Sequence, residues 1–173
     1  ISRSFPKEIY TLEELDPIIA EFASMCAEKL RGEGSVCREV QTYLFTNRHR
    51  EDQPQSYETS LQLLPDPTDS TLEIVRHARI ALRQVFQPGY GYKKAGVILS
   101  QITSACEQQV SLFSPLDREK HARLMEVLDS VNKTHGKGKI VVAAQGTDHF
   151  RMNREHLSPR YTTNWNELLT IKL

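Results

Sequence analysis

Several groups of residues in this chain have the types and spacing to do chemistry or to hold a ligand. His135-Gly-Lys-Gly-Lys139 is the first. Glycines beside lysines can cradle a phosphate on backbone amides with an ammonium group next to it. A nucleotide-binding phosphate loop, however, runs from a strand through Gly-Lys-Ser/Thr into a helix. Here a helical pattern precedes the stretch and β-formers follow it. It therefore reads as a helix stop and tight turn, with Gly136 as the C-terminal cap. Lys137 and Lys139 stay available for nucleic acid or an acidic partner. The second group is Lys93-Lys94, which opens a β-forming run. Two ammonium groups there could contact phosphates without reading sequence, or could guard an edge strand against aggregation. The third is Gln109-Val-Ser-Leu112-Phe113, an apolar pair in a polar stretch just ahead of Ser-Pro. An extended peptide of this kind can bury its Leu and Phe in a partner's pocket at ~1.5–3 kcal/mol each, while the Gln amide fixes the register. Alternatively, the pair staples the following segment onto the preceding one. Arg76, Arg79 and Arg83 form a stripe that reads as the solvated face of a helix.

Other residue types show no reactive pattern. Cys26, Cys37 and Cys106 lack metal-ligand spacing, and an odd count argues against a disulfide framework, so free thiols are expected. The six histidines show no zinc spacing. The acidic residues fall in helix caps, helix faces and loops, with no metal-binding cluster among them. No catalytic residue and no cofactor of the chain's own is expected.

The elements that must position these groups follow from pattern. Arg3, Phe5, Lys7 and Ile9 alternate with small or polar residues, as in a half-buried strand. Thr11-Leu-Glu-Glu14 is a capping box, followed by Leu12, Leu15, Ile19, Phe22, Cys26 and Leu30 at helical spacing and closed by Gly32. A β-rich run over 35–47 sets Val36, Val40 and Leu44 on one face and Glu39, Gln41 and Tyr43 on the other. After a polar link comes a third strand, YETSLQLLP. Pro67 and a second capping box, Ser70 to Glu73, are expected to start a helix with Leu72, Val75, Ala78, Leu82, Val85 and Phe86 inward. A fourth strand over 92–103 has Ala95, Val97 and Leu99 on its core face and Lys94 and Ile98 on the other. The order is β-α-β-β-α-β, an α+β fold with two helices on one face of a four-stranded sheet and the other face open. Beyond it, one helix with Leu124, Leu128 and Val131 inward leads through the Gly-Lys turn to a short strand, IVVAAQ, and an Arg- and aromatic-rich tail.

Composition agrees with a globular domain plus an extension. The 173 residues are 39% hydrophobic and 25% charged, with no apolar run of the ~20 residues needed to span a bilayer. A cytoplasmic location and no membrane partner are expected. The net charge of zero hides an asymmetry: residues 1–113 hold 12 Lys+Arg against 15 Asp+Glu, and residues 114–173 hold 10 against 7. The start at Ile-Ser-Arg rather than Met suggests a piece of a longer protein.

The stretches SRSF, YKKAGVILSQI, QVSLF and LMEVLDSVNKTHGKGKIVVAAQG with LSPRYTTNWNELL together resemble the C-terminal part of the UmuC-type Y-family translesion DNA polymerases. The likeness implies a little finger domain over 1–104, a clamp-binding linker over 105–115 and a UmuC-type C-terminal extension over 116–173. It implies error-prone synthesis across damaged bases in the SOS response by the whole enzyme. The Mg ions and their carboxylates would lie in a palm domain upstream, leaving this piece non-catalytic. It further implies sequence-independent DNA contacts by Lys93 and Lys94, with Arg3 and Arg38 as weaker candidates. Gln109, Leu112 and Phe113 match the Gln-x-x-Leu-Phe pentapeptide that binds the β sliding clamp. Lys137, Lys139, Arg160 and Tyr161 are the extension's candidates for a nucleic-acid contact or for UmuD-like and RecA partners, and Tyr161 and Trp165 are expected to pack the tail on the preceding helix. Two other classes stay open: a stand-alone α/β interaction module without DNA binding, and a small enzyme using the Gly-Lys turn for a phosphate substrate.

Overall fold

Alternation at the start of the chain produces β1, Ser2–Ile9, and the Thr11 hydroxyl then accepts from the Glu14 amide to start α1, Leu12–Gly32. The structure, a computed structural model, describes residues 1–107, 117–147 and 158–167. Leu15, Ile19, Phe22, Cys26 and Leu30 recur at helical spacing, and all are buried. At ~1.5–3 kcal/mol for each large apolar side chain, this stripe holds α1 to the sheet. Gly34, two residues past the helix, takes φ of 60°, which suits glycine, and the chain reverses into β2, Ser35–Thr46. Next come β3, Tyr57–Thr68; α2, Thr71–Val85; β4, Tyr92–Ser100; and a two-residue β5, Thr103–Ser104.

Antiparallel pairing gives the order β1-β4-β2-β3, and β5 pairs with the first residues of β2. Both α1 and α2 bury their apolar stripes against one face of this sheet, where Val40, Leu44, Ala95 and Val97 are fully buried. The β-α-β-β-α-β order and the α+β class read from the sequence are those of the structure. Among the described residues no helix is long and apolar enough to cross a membrane.

Several local expectations are corrected. Pro67 does not start α2; it lies in β3, which runs on through Pro65 and Pro67 to Thr68. As β3 is an edge strand, the missing proline donors cost no ladder bond. The second capping box does not close. The Ser70 hydroxyl meets His121 Nδ1 at 3.1 Å instead, and Glu73 bonds the Thr68 hydroxyl. Leu72 is exposed, and Ile74 and Ala81 occupy the core in its place. Arg79 is no solvated residue: its guanidinium bonds Asp16 of α1 at 2.8 and 2.5 Å, tying the helices together.

The extension begins with α3, Arg118–His135, capped by the Asp117 carboxylate on the Lys120 amide. Its one buried side chain is Met125, whereas Leu124 is exposed and Leu128 and Val131 are half-buried. The expected apolar stripe is therefore not what docks this helix. Residues 140–145 form no strand; Ala143–Gln145 make one 3-10 turn along α1. Trp165, 87% exposed, and Tyr161 do not pack the tail on α3.

The open sheet face and the docked extension as candidate sites

Register decides which side chains reach the free face of the sheet. Residues directly opposite in an antiparallel pair share a face. Leu44 stands opposite Ala95 and Thr42 opposite Val97, all on the helix side. The intervening residues therefore face away from the helices. One row of this open face is Ser4, Lys94, Phe45 and Tyr57, and the next is Ser2, Gly96, Tyr43 and Thr59. Ile98, Gln41 and Leu61 follow, then Ser100, Glu39 and Leu63.

Adjacent lysines must point apart on a regular strand, and here a bulge sharpens the division. The register steps from Phe45–Lys94 to Thr46–Tyr92, so Lys93 is an extra residue on β4. Tyr92 is thereby returned to the core, fully buried, with its hydroxyl accepting from the Gln87 amide at 2.8 Å. Lys93 donates to the Pro6 carbonyl at 2.9 Å across the sheet edge. Lys94 stands on the open face with no polar partner among the described residues. Arg3 is opposite Ala95, which puts it on the helix side, so it does not join Lys94. Arg38 is exposed at the irregularity between Cys37 and Glu39.

The rest of the open face is aromatic and apolar. Tyr43 and Phe45 stack at 4.7 Å between centroids, Phe45 and Tyr57 at 4.8 Å, and the Arg48 guanidinium lies 4.6 Å over the Tyr57 ring. Farther along, Leu61, Leu63 and Ile98 are 52%, 61% and 44% exposed. Glu39, the carboxylate of this end, accepts from Ser100 at 2.7 Å and Gln101 at 2.6 Å. Sequence reasoning missed Arg48, which sat in a polar link. The available signal was aromatic residues alternating opposite Val40 and Leu44 on a strand whose other face should have been polar.

Charged bonds dock the extension on the helix layer. Arg31, in the last turn of α1, donates to Asp129 of α3 at 2.7 Å from both Nε and Nη2. Its Nη1 donates to the Asp69 carbonyl at 2.8 Å and the Thr71 hydroxyl at 2.9 Å, beside the start of α2. Arg118 binds Asp66 at 2.9 Å and approaches Glu73 at 3.7 Å. Arg31 was also missed, because nothing local marks a partner 98 residues away.

The Gly-Lys turn is held by a side chain. Asn132 bonds both the amide and the carbonyl of Ile140 at 2.9 Å, closing residues 133–139 into a loop with Gly136 and Gly138 at positive φ. Lys137 lines a cavity of about 290 Å³ between α1, α3 and the returning segment, and Lys139 is exposed. Buried Gln145 donates to Ser24 at 2.6 Å and anchors that segment to α1. Arg160 and Tyr161 stand in an exposed turn away from Lys94 in the chain, where the Arg160 carbonyl accepts from the Thr163 and Asn164 amides. Gln109, Leu112 and Phe113 lie outside the described residues.

Burial pushes the Cys37 thiol up to about 12 and raises that of Cys26, so both are neutral. No three His, Cys, Asp or Glu side chains among the described residues are grouped to hold a metal ion.

The chain is similar to known proteins over both of its parts. The C-terminal part of the chain, residues 122–171, matches a domain of unknown function, DUF4113. Over 173 residues the chain is 37% identical to Protein UmuC of Salmonella typhimurium, covering 99% of this chain and 41% of that protein. It is 36% identical over 174 residues to Protein ImpB of Salmonella typhimurium, with the same coverage of 99% and 41%. The chain thus spans about two fifths of the length of these relatives. Among solved structures, a complex of a β-clamp processivity factor and the little finger domain of PolIV aligns at TM-score 0.41 and 15% identity. That alignment covers 66% of this chain and 96% of that one. Residues 1–112 match the impB/mucB/samB family C-terminal domain, and the chain belongs to that family.

Proposed function

We propose that this chain is the DNA-gripping and clamp-tethering region of an error-prone translesion polymerase acting in SOS repair in the cytoplasm, with the polymerase chemistry carried elsewhere in the whole protein. The observation that carries the reading is the open sheet face, which presents Lys94 unpaired opposite the helix layer. A cation on a smooth sheet face suits backbone phosphates, which position a duplex without reporting its sequence. An enzyme copying damaged templates needs that indifference. Family membership supports the same reading.

Gln109, Leu112 and Phe113 supply the tether to a β sliding clamp in this proposal. Two apolar anchors on a short peptide give weak, exchangeable binding. The extension, residues 116–173, would serve UmuD-like or RecA partners, with Lys137, Lys139, Arg160 and Tyr161 as contacts.

DNA affinity measured by fluorescence anisotropy over a salt series tests the grip. Each phosphate contact should add about −0.9 to the log–log slope. Flat salt dependence would favour a second reading, an interaction module without DNA binding, for which the exposed Leu61, Leu63 and Ile98 speak. Replacing Leu112 and Phe113 by Ala should abolish clamp capture while the thermal unfolding of the β-α-β-β-α-β body stays unchanged. Loss of the fold instead would mean that the pair is a structural staple. Deleting 114–173 should end partner binding and spare duplex affinity.

A further inference from the structure

We infer that Arg48 is a DNA phosphate contact and that Gly96 positions it through a stack of three aromatic rings; this rests on the DNA-binding reading of the open face. Gly96 lies at the centre of that face, on β4. A Cβ there would stand 2.5 Å from Cζ and Oη of Tyr43, so the absence of a side chain lets the Tyr43 ring lie against the strand. Tyr43 carries Phe45 at 4.7 Å, Phe45 carries Tyr57 at 4.8 Å, and Tyr57 carries the Arg48 guanidinium at 4.6 Å. Arg48 Nε also donates to the Tyr57 hydroxyl, which fixes the plane of the guanidinium.

Position and the lack of a carboxylate partner together carry the assignment. Arg31, Arg50, Arg79, Arg118 and Arg123 are each in an ion pair with a carboxylate, while Arg3 lies on the helix side of the sheet and Arg76 and Arg83 on α2. Arg48 has no carboxylate partner among the described residues, and only Nε is committed, to a neutral hydroxyl. Its four Nη hydrogens are left for a ligand. It sits at the end of the row that holds Lys94, a cation that also has no carboxylate partner among the described residues, so the two complement an anionic backbone. Guanidinium on an aromatic ring is favourable and keeps the fork ordered before the ligand arrives. The chemistry recognised is a phosphodiester, which single-stranded and duplex DNA both offer.

Binding to a labelled oligonucleotide, single-stranded and as duplex, tests this across a salt series. With Lys94 and Arg48 both engaged the log–log slope should be near −1.8 on duplex, at about −0.9 per contact, and near −1.4 on a single strand, at about −0.7. Arg48→Ala should flatten the slope by one contact and weaken binding at 0.1 M salt about eightfold on duplex and about fivefold on a single strand, the factors those slopes give over one decade below 1 M. Gly96→Ala and Tyr57→Leu remove no charge, yet each should weaken binding by a factor approaching that of Arg48→Ala. The double variant Gly96→Ala/Arg48→Ala should bind no more weakly than Arg48→Ala alone. Should Gly96→Ala fail to fold, Tyr57→Leu at an exposed ring carries the same test. Weakening by Lys94→Ala but not by Arg48→Ala would overturn the contact and leave the DNA reading standing. Weakening by Arg48→Ala with Gly96→Ala and Tyr57→Leu unaffected, or an additive double variant, would overturn the positioning. Failure of the wild-type protein to bind either form would overturn the contact together with the DNA reading. Effects on both forms identify a contact within one strand, and an effect on duplex alone identifies one that needs paired backbones; either supports the phosphate assignment.

Discussion

Replacing Asp129 by Ala should release α3 from the body without unfolding the body. Arg31 and Asp129 form a two-pronged pair with both distances at 2.7 Å, and their side chains are 10% and 33% exposed. Breaking a fully buried pair costs about 3–5 kcal/mol, and an exposed one about 0.2–1. Two facts put this pair between those limits. Arg31 keeps its bonds to the Asp69 carbonyl and the Thr71 hydroxyl, and the two donors it loses face a cavity of about 290 Å³ that can admit water. A loss of about 2 kcal/mol follows from these limits. Against it stand Met125, the one buried side chain of α3, at about 1.5–3 kcal/mol, and the contacts of Arg118 and His121. Amide hydrogen exchange reads the outcome by segment. Protection across residues 121–133 should fall about thirtyfold, the equivalent of 2 kcal/mol, while amides of β2 and β4 keep their rates. Raising the salt from 0.1 to 0.5 M should lower α3 protection in the wild type and less in the variant. Unchanged exchange in α3, or an equal loss through β2 and β4, would refute the claim that charged bonds dock this helix.

Further outcomes can be checked directly. Burial holds the Cys37 thiol at about 12 and raises that of Cys26, against an ordinary value of 9.0. Above pH 9 the unfolded chain gives up thiol protons that the folded chain keeps, so stability present below pH 9 is lost as pH rises toward 12. The slope from Cys37 is at most about 1.4 kcal/mol per pH unit, and urea midpoints between pH 8 and 10.5 should fall less steeply in Cys37→Ala. In the native protein a thiol reagent at pH 8 should label exposed Cys106 and spare Cys26 and Cys37, and all three should react in denaturant. Asp16→Ala breaks the partly exposed bond to Arg79 and should lower stability by about 1 kcal/mol in urea unfolding. Asn132→Ala removes both side-chain bonds to Ile140 and should speed proteolysis within residues 133–139, leaving the β-sheet intact.

Much of the fold was legible because helices and strands repeat over short distances. Leu15, Ile19, Phe22, Cys26 and Leu30 are near neighbours on one helix face wherever that helix lies, and the Thr11 cap involves a donor three residues on. The local rules failed where a distant partner made a better offer. Ser70 has the residue type of a cap, but His121 took its hydroxyl, and the edge position of β3 let Pro65 and Pro67 stay in a strand. Leu124 looked like core because apolar spacing cannot show that a helix docks through its aspartate and arginine.

The sequence by itself determined the element order from β1 through β4, the core stripes of α1 and β4, and a sheet with one face left uncovered, since each follows from a 2- or 3.6-residue period and a handful of caps and turns. Alternation with Ala95 already put Lys94 on that face, and only the tertiary structure decided which other cations join it. A single extra residue in β4 sends Lys93 to the Pro6 carbonyl, while the register of β1 turns Arg3 away. Arg48 reaches the face across a stack seated on Gly96, and Arg31 finds Asp129 across 98 residues of chain. The physical reason is the same in each case. Register and ion pairing are settled by what stands opposite after the chain has packed, and no local period encodes the partner.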